Sequence, residues 1–509
     1  MKRLSMAKGI VLLGCVFFLT SQLFAAGVDL TGVGARAQAL GGNYRAVADD
    51  WSAMFWNPAG LVQTEGWNAG VSTEFIKATV GYTPAEFAGQ QFSATSASAV
   101  ENEPTTYFIP SGGVYMSKGK YAFGVGFWAS FGLGAKWDLL NTSTYNSEYP
   151  QFDYEDDLKV IDIHPTFSYE VSDKLSVGLG VSVLMADIKI FKPNYTPNPY
   201  LFDASLQPLS AVFTPILSPT GAFAAQYNHI LTSTNLEGDG TGFGANFGIM
   251  YKATEDLTIG ASVQYYGDIS LEGTVDAITY LPNNQAALAA SMTTLKAQYD
   301  GMLAMGLISQ AQHAALTSSS LLGLYSGQQV PQDQNLKVTA DLPLPMRAGI
   351  GLKYTGIANL LISADVAYTQ WSTWDVIDIK KDGEFYSHLH ENWEDGIRAG
   401  IGLEYALAPL KLRGAFYSEP NAAVTETMTP TIPDINRRNV LIVGLEYPIG
   451  PLKLHASYEK MFIGDTTVEP WNFHKSAGVE SHDRDEYRNM AGLYTMNVNN
   501  FMFGVDLEF

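Results

Sequence analysis

The chain has 509 residues, with 30 Lys and Arg against 51 Asp and Glu for a net charge of −21, one Cys, 48 Gly, 12% aromatic and only 16% charged residues. So acidic a surface excludes nucleic-acid binding by counterion release from phosphates. A charged share well below the usual ~25%, combined with abundant Gly and aromatic side chains, suits a barrel wall that faces lipid.

Residues 1–25 have the three-part layout of a secretory signal: Lys2, Arg3 and Lys8, then an apolar run from Gly9 to Leu19, then a small-residue exit at Ala25-Ala26-Gly27. Cleavage is expected after Ala25, since a cut after Ala26 would place bulky Phe24 three residues before it. Leu12-Leu13-Gly14-Cys15 resembles a lipobox, but the apolar core continues straight through it. With the signal removed no cysteine is left, so neither disulfides nor thiol chemistry can be invoked. No later run of about 18 apolar residues exists, which excludes a helical membrane bundle.

Residues 26–66 do not alternate and are expected to form a separate N-terminal unit. From residue 67 to 509 the dominant pattern has period two. In Leu175 to Met185 the odd positions are Leu, Val, Leu, Val, Val and Met, with Ser176, Gly178, Gly180 and Ser182 between them. Segments of about ten residues or more are long enough to cross a bilayer as tilted strands. The same rule places strands near 67–80, 106–117, 121–133, 158–171, 174–190, 241–253, 257–273, 335–354, 359–379, 395–407, 410–418, 437–448, 452–462 and 497–509. Tight turns such as Ser117-Lys118-Gly119-Lys120, Ser172-Asp173 and Gly450-Pro451 alternate with long excursions. The expected fold is therefore all-β: a 14-stranded antiparallel transmembrane β-barrel with helical extracellular loops and both chain ends periplasmic. An even strand count closes the sheet and leaves no unpaired edge in the hydrocarbon layer.

Two loops are long. Residues 191–240 are rich in Pro, Ala and Phe, and residues 274–334 contain a helical-looking stretch in which Leu288, Met292, Leu295, Tyr299, Met302 and Leu303 recur at spacings of three and four. That face either packs onto its own loop or lines an apolar docking groove, where flexible Met side chains tolerate varied ligands. Acidic stretches such as Asp153 to Asp157 read as solvated loops, their spacing fitting no EF-hand. Strand parity turns Arg347, Lys353, Arg398 and Arg413 inward, either to pair with inward acids such as Glu404, Glu446 and Asp506 or to meet a ligand carboxylate. No metal-ligand cluster of recognised spacing and no Gly-x-Ser-x-Gly elbow is present, so neither an enzyme nor a cofactor is expected.

Between signal and first strand lie Gly32-Val33-Gly34-Ala35-Arg36, Ala48-Asp49-Asp50 and Asn57-Pro58-Ala59. Downstream come Phe131-Gly132-Leu133-Gly134, Leu342-Pro343-Leu344-Pro345, Gln370-Trp371-Ser372-Thr373-Trp374 and Ile432-Pro433-Asp434 followed by Arg437. In order and spacing these resemble the FadL/TodX family of outer-membrane transporters for long-chain fatty acids and aromatic hydrocarbons, over nearly the whole mature chain. The resemblance implies passive uptake of a hydrophobic small molecule and an N-terminal hatch (plug), residues 26–66, inside the lumen, with Arg36, Asp49, Asp50, Asn57, Pro58 and Ala59 in the hatch motif. It further implies a ligand pocket plugged by Ala26, Gly27, Val28 and Asp29, and a lateral exit at a third strand kinked by Gly132 and Gly134. Phe509 looks like the C-terminal signal read by the barrel assembly machinery. A monomer surrounded by outer-membrane lipid and lipopolysaccharide, in a Gram-negative-type bacterium, is expected. Barrel shuttles of Bacteroidetes-type protein secretion look similar, and Ala35 before Arg36 and Gly60 after Ala59 depart from the transporters. A secretion partner is therefore the alternative reading.

Overall fold

A computed structural model describes residues 32–84, 99–139, 149–197, 229–281, 285–317, 326–469 and 489–508. Ala26 to Asp29 and Phe509 lie outside the described residues.

Fourteen spans form one closed antiparallel ring. In chain order they are Gly66–Pro84, Thr105–Lys118, Tyr121–Trp137, Tyr154–Ser172, Leu175–Pro197, His229–Lys252, Leu257–Tyr266 with Ile269–Tyr280, Gln329–Leu342 with Arg347–Ile357, Leu360–Thr369 with Val376–Lys381, Glu384–His390 with Gly396–Leu407, Leu410–Glu419, Arg438–Ile449, Leu452–Ile463 and Gly492–Glu508. Each pairs with its sequence neighbour, and the first closes on the last in a continuous register from Asn68–Glu508 to Pro84–Gly492. The expected count and antiparallel closure are borne out.

Alternation decides which face meets lipid. On the fifth span Leu179, Val181, Val183 and Met185 are exposed, while Ser182 and Leu184 are buried. Trp67, Tyr121, Tyr251, Tyr354, Tyr405 and Tyr447 are exposed near the short-turn end, an aromatic belt of the kind found at a membrane interface.

Four spans expected to run unbroken, or to start later, do not. The seventh breaks at Gly267-Asp268, the eighth at Pro343 to Met346 and the ninth at Gln370 to Asp375, and the tenth acquires an extra segment, Glu384–His390. Ladder pairing of the seventh and eighth spans stops at Gln264–Arg347 and resumes at Ile269–Leu342. Pro343 and Pro345 carry no N–H to donate to a ladder. The buried indoles of Trp371, Trp374 and Trp393 fill the interruption, with Trp374 and Trp393 centroids 4.6 Å apart and Trp374 Nε1 donating to the Pro343 carbonyl at 2.7 Å.

The third span departs from the second. Its pairing with the second ends at Gly112–Phe127, yet it stays paired with the fourth as far as Trp137–Tyr154, through a bulge between Ala129 and Phe131. A bulge bends the strand that carries the extra residue. Beyond it Phe131, Leu133, Ala135 and Trp137 are all buried. Phe131 meets Tyr266 and Trp371 edge-on at 5.5 and 6.3 Å, so this half-span leans across the lumen. The two spans rejoin above, where Glu103 N donates to Lys136 O at 2.8 Å. The result is a window in the hydrogen-bonded wall, crossed by the Tyr107 hydroxyl donating to Gly134 O at 2.9 Å.

Candidate functional site: the filled lumen

The segment from residue 32 to the first span has little repetitive structure: one helix, α1 (Ala35–Ala39), a turn of helix, α2 (Ala53–Trp56), and a 3-10 stretch, Pro58–Gln63. Its carbonyls therefore need outside donors. Inward polar side chains supply them. Asn246 Nδ2 donates to Met54 O, Gln264 Nε2 to Phe55 O and Ser262 Oγ to Trp56 O, each at 2.7 Å, and Ser176 Oγ donates to Ala59 O at 2.8 Å.

Asn57 is the hub of the Asn-Pro-Ala motif. Its side chain donates to Arg45 O at 2.7 Å and Ile249 O at 3.0 Å, and its oxygen accepts from Ala59 N at 3.1 Å as a cap of the 3-10 stretch. Pro58 O accepts from Ser168 Oγ. A Cβ at Gly178 would stand 2.3 Å from the Pro58 carbonyl carbon, and one at Gly248 would stand 2.0 Å from Asn57 Oδ1. Glycine at those wall positions is what lets the motif approach.

Towards the short-turn end an ionic network joins segment to wall. Arg36 pairs with Asp49 and with Glu404, the latter at 3.1 Å. Tyr44 donates to Asp50 Oδ2 at 2.7 Å, and Ser52 Oγ donates to Asp50 Oδ1 at 2.6 Å. Trp51 Nε1 donates to Asp506 Oδ1 at 3.0 Å. Burial, and next the negative charge of Asp506, raise the Asp50 carboxyl above its ordinary range, against the pull of Arg36. Arg413 belongs here: it pairs with Glu404 at 2.7 Å and with Glu446, and its Nη1 approaches His455 Nδ1 at 3.1 Å. A guanidinium only donates, so His455 carries its proton on Nε2, which lies 3.0 Å from Asp506 Oδ2. Of the four expected lumenal cations, Arg413 thus takes the pairing role. Lys353 Nζ reaches Gln63 Oε1 at 3.4 Å beside the same network.

Arg347 and Arg398 line a small cavity with Arg45, Phe55, Trp56, Gln264, Asp365 and Glu419. Arg45 is clamped to Asp365 at 2.5 Å. Arg347 Nη2 donates to Ser130 O, the carbonyl at the bulge, at 3.3 Å, and its guanidinium carbon sits 4.4 Å from the Phe131 ring centroid. Arg398 donates to Gly41 O at 2.6 Å and lies 3.6 Å from the Tyr417 ring centroid. Gly132 and Gly134 lie on the inward half-span, beyond the bulge. Leu288, Met292, Leu295, Tyr299, Met302 and Leu303 lie on one helix, α3 (Gln285–Ala304); Tyr299 is buried, and Met302 and Leu303 are half-buried. Among the described residues no group of three or more His, Cys, Asp and Glu could hold a metal ion.

The profile of a family described as outer membrane protein transport proteins (OMPP1/FadL/TodX) matches residues 16–503. The chain belongs to that family. Its members are outer-membrane transport channels for hydrophobic compounds, not enzymes, which agrees with the lipid-facing ring. The long-chain fatty acid transport protein of Escherichia coli is 22% identical over 400 residues, 77% of this chain and 76% of that one. Two crystal structures share the fold: a Pseudomonas aeruginosa FadL homologue (TM-score 0.67, 16% identity, 95% of this chain and 100% of that one) and the P. putida toluene transporter TodX (TM-score 0.61, 16% identity, 94% and 99%).

Sequence reasoning missed one residue. It placed weight on Arg437, which is exposed and donates to Ser418 Oγ at 3.2 Å; the buried partner of Asp434 is the next residue, Arg438, at 2.9 Å. Alternation from Arg438 through Val440 and Ile442, all buried, was the available signal.

Proposed function

We propose that this barrel takes up long-chain fatty acids or similar hydrophobic small molecules passively, releasing them sideways through the window between its second and third spans. The observation that carries this reading is the window itself. The wall parts where the third span leans inward, and the lumen below is blocked by the N-terminal segment, so lateral release is the short path for an apolar cargo. Each methylene moved from water to an apolar surrounding is worth about 0.8 kcal/mol, which supplies capture without chemistry. A carboxylate head needs a cation or several donors, and Arg347 and Arg398 line the central cavity for that role. A fatty acid cargo is supported by the E. coli relative and an aromatic one by TodX.

The mature N-terminus, Ala26 to Asp29, is assigned to plugging the ligand pocket. In cells that depend on this protein for oleate uptake, deleting Ala26 to Val28 should lower uptake with assembly intact. Deleting Ser130 removes the bulged residue and should let the third span stay paired with the second, again lowering uptake. Wild-type rates from both variants in folded form would reject the plug and the lateral route respectively.

A further inference from the structure

We propose that the lipid-facing wall carries a seat for one phosphorylated lipid of the outer leaflet, the lipid A anchor of lipopolysaccharide. Lys77 and Lys460 bind its phosphate, and a cluster of aromatic rings beside them receives its acyl chains.

Three adjacent spans build the seat. Asn499 of the last span pairs with Lys77 of the first on one side and with Lys460 of the thirteenth on the other. All three share the outward parity of Val71, Phe462 and Phe501, which are exposed. Neighbouring strands lie about 4.8 Å apart, so the two lysine backbones stand about 10 Å apart and their long side chains can close on one phosphate. Depth follows from the chain. Trp67, in the aromatic belt at the short-turn end, precedes Lys77 on the same span, and the outward residues between them, Ala69, Val71, Thr73 and Phe75, carry no charge. That stretch is about 33 Å of strand, which a tilt of about 40° reduces to about 25 Å of depth, the height of the apolar band of an outer-membrane barrel. Lys77 therefore stands at the opposite interface, among the headgroups of the outer leaflet.

Charge selects a phosphate. Lys136 and Lys189 share Glu155 and Lys159 pairs with Asp157, whereas among the described residues Lys77 and Lys460 have no acidic partner. Glu101, the acid on the same face of the neighbouring strand, sits opposite Gly81, about 13 Å farther along the first span. Lys460 Nζ is held by Asn497 Oδ1 and, at 3.3 Å, by Asn499 Oδ1, which also accepts from the Tyr458 hydroxyl at 2.9 Å. An ammonium has three donors, so one is left for a phosphate oxygen. On the bilayer side of the lysines, Phe75 packs edge-on against Phe108 and Phe503 at 5.3 and 6.1 Å, and Tyr458 lies 4.9 Å from Phe501. Paired cations at headgroup depth above a continuous aromatic floor match a lipid that joins phosphate to acyl chains.

The test is native mass spectrometry of the full chain in detergent micelles, titrated with lipid A, dephosphorylated lipid A, phosphatidylglycerol and inorganic phosphate. Lipid A should bind at least about tenfold more tightly than its dephosphorylated form. A lysine beside an anionic headgroup is worth about fivefold in affinity, so Lys77→Gln or Lys460→Gln should weaken lipid A about fivefold and the double variant about 25-fold, with the dephosphorylated lipid unchanged. Replacing Lys337 and Lys380 by Gln, on the eighth and ninth spans across the ring, matches that loss of charge and should leave lipid A affinity as it was. Equal affinity for the two forms of lipid A, lipid A binding untouched in the double variant, or the same loss from the control pair overturns the proposal. Phosphatidylglycerol or inorganic phosphate binding as tightly as lipid A would overturn lipopolysaccharide as the occupant. Heat-modifiable gel mobility reports folding, and if the double variant does not assemble the two single variants decide.

Discussion

Asn57 shows how much one side chain carries when a segment lacks its own ladder. Asn57→Ala would leave the Arg45 carbonyl without this donor, take a second donor from the Ile249 carbonyl and remove the cap, at about 1–3 kcal/mol for a buried group left unsatisfied. The expected outcome is faster protease cleavage within residues 32–63, with the barrel's circular dichroism unchanged. Asp50 predicts a pH effect of definite sign. Its folded-state pKa is raised, so the stability it contributes is fully present below its ordinary value of 3.8 and is lost as pH rises through the raised folded value. Asp50→Asn should flatten that decline while keeping an acceptor for Tyr44 and Ser52. Melting temperatures of both proteins from acid to neutral pH will check it, and parallel curves would count against it. Asp49, Asp50 and Asn57 were visible in the sequence as motif residues and Glu404 and Asp506 as inward acids, but the pairings Arg36 with Glu404, Trp51 with Asp506, Asn57 with Ile249 and Pro58 with Ser168 were not. Those partners are more than a hundred positions away, and only ring closure sets them opposite.

For the strands, alternation was sufficient to count spans because each crosses one boundary between lipid and interior. It was insufficient where a span leaves that boundary. Phe131 to Trp137 are still a strand, yet nearly all of their side chains are buried, since the half-span has turned into the lumen and both its faces meet protein. The Leu-Pro-Leu-Pro and Gln-Trp-Ser-Thr-Trp runs were noticed, and their prolines and clustered indoles were the local sign of an interrupted ladder. The expectation of unbroken strands there gave period two more weight than proline's missing donor. Gly132 and Gly134 drew attention as a possible kink, whereas the ladder with the second span already ends at Phe127 and the bulge is at Ser130, a residue with no backbone peculiarity to announce it.

For the molecule as a whole, a closed ring packed with its own N-terminal segment predicts an electrically quiet pore. Planar bilayers containing the full chain should show little ion conductance, and removing residues 32–63 should open a conducting barrel. Equal conductance from the two would contradict a filled lumen. The sequence by itself determined the class, the span count and the lipid-facing side, because a bilayer imposes one rule on every residue that crosses it and that rule is written locally. Tertiary structure alone decided which cations are spent in ion pairs and where the wall parts. Those depend on contacts between residues far apart in the chain, whose positions are fixed only once the first span has met the last.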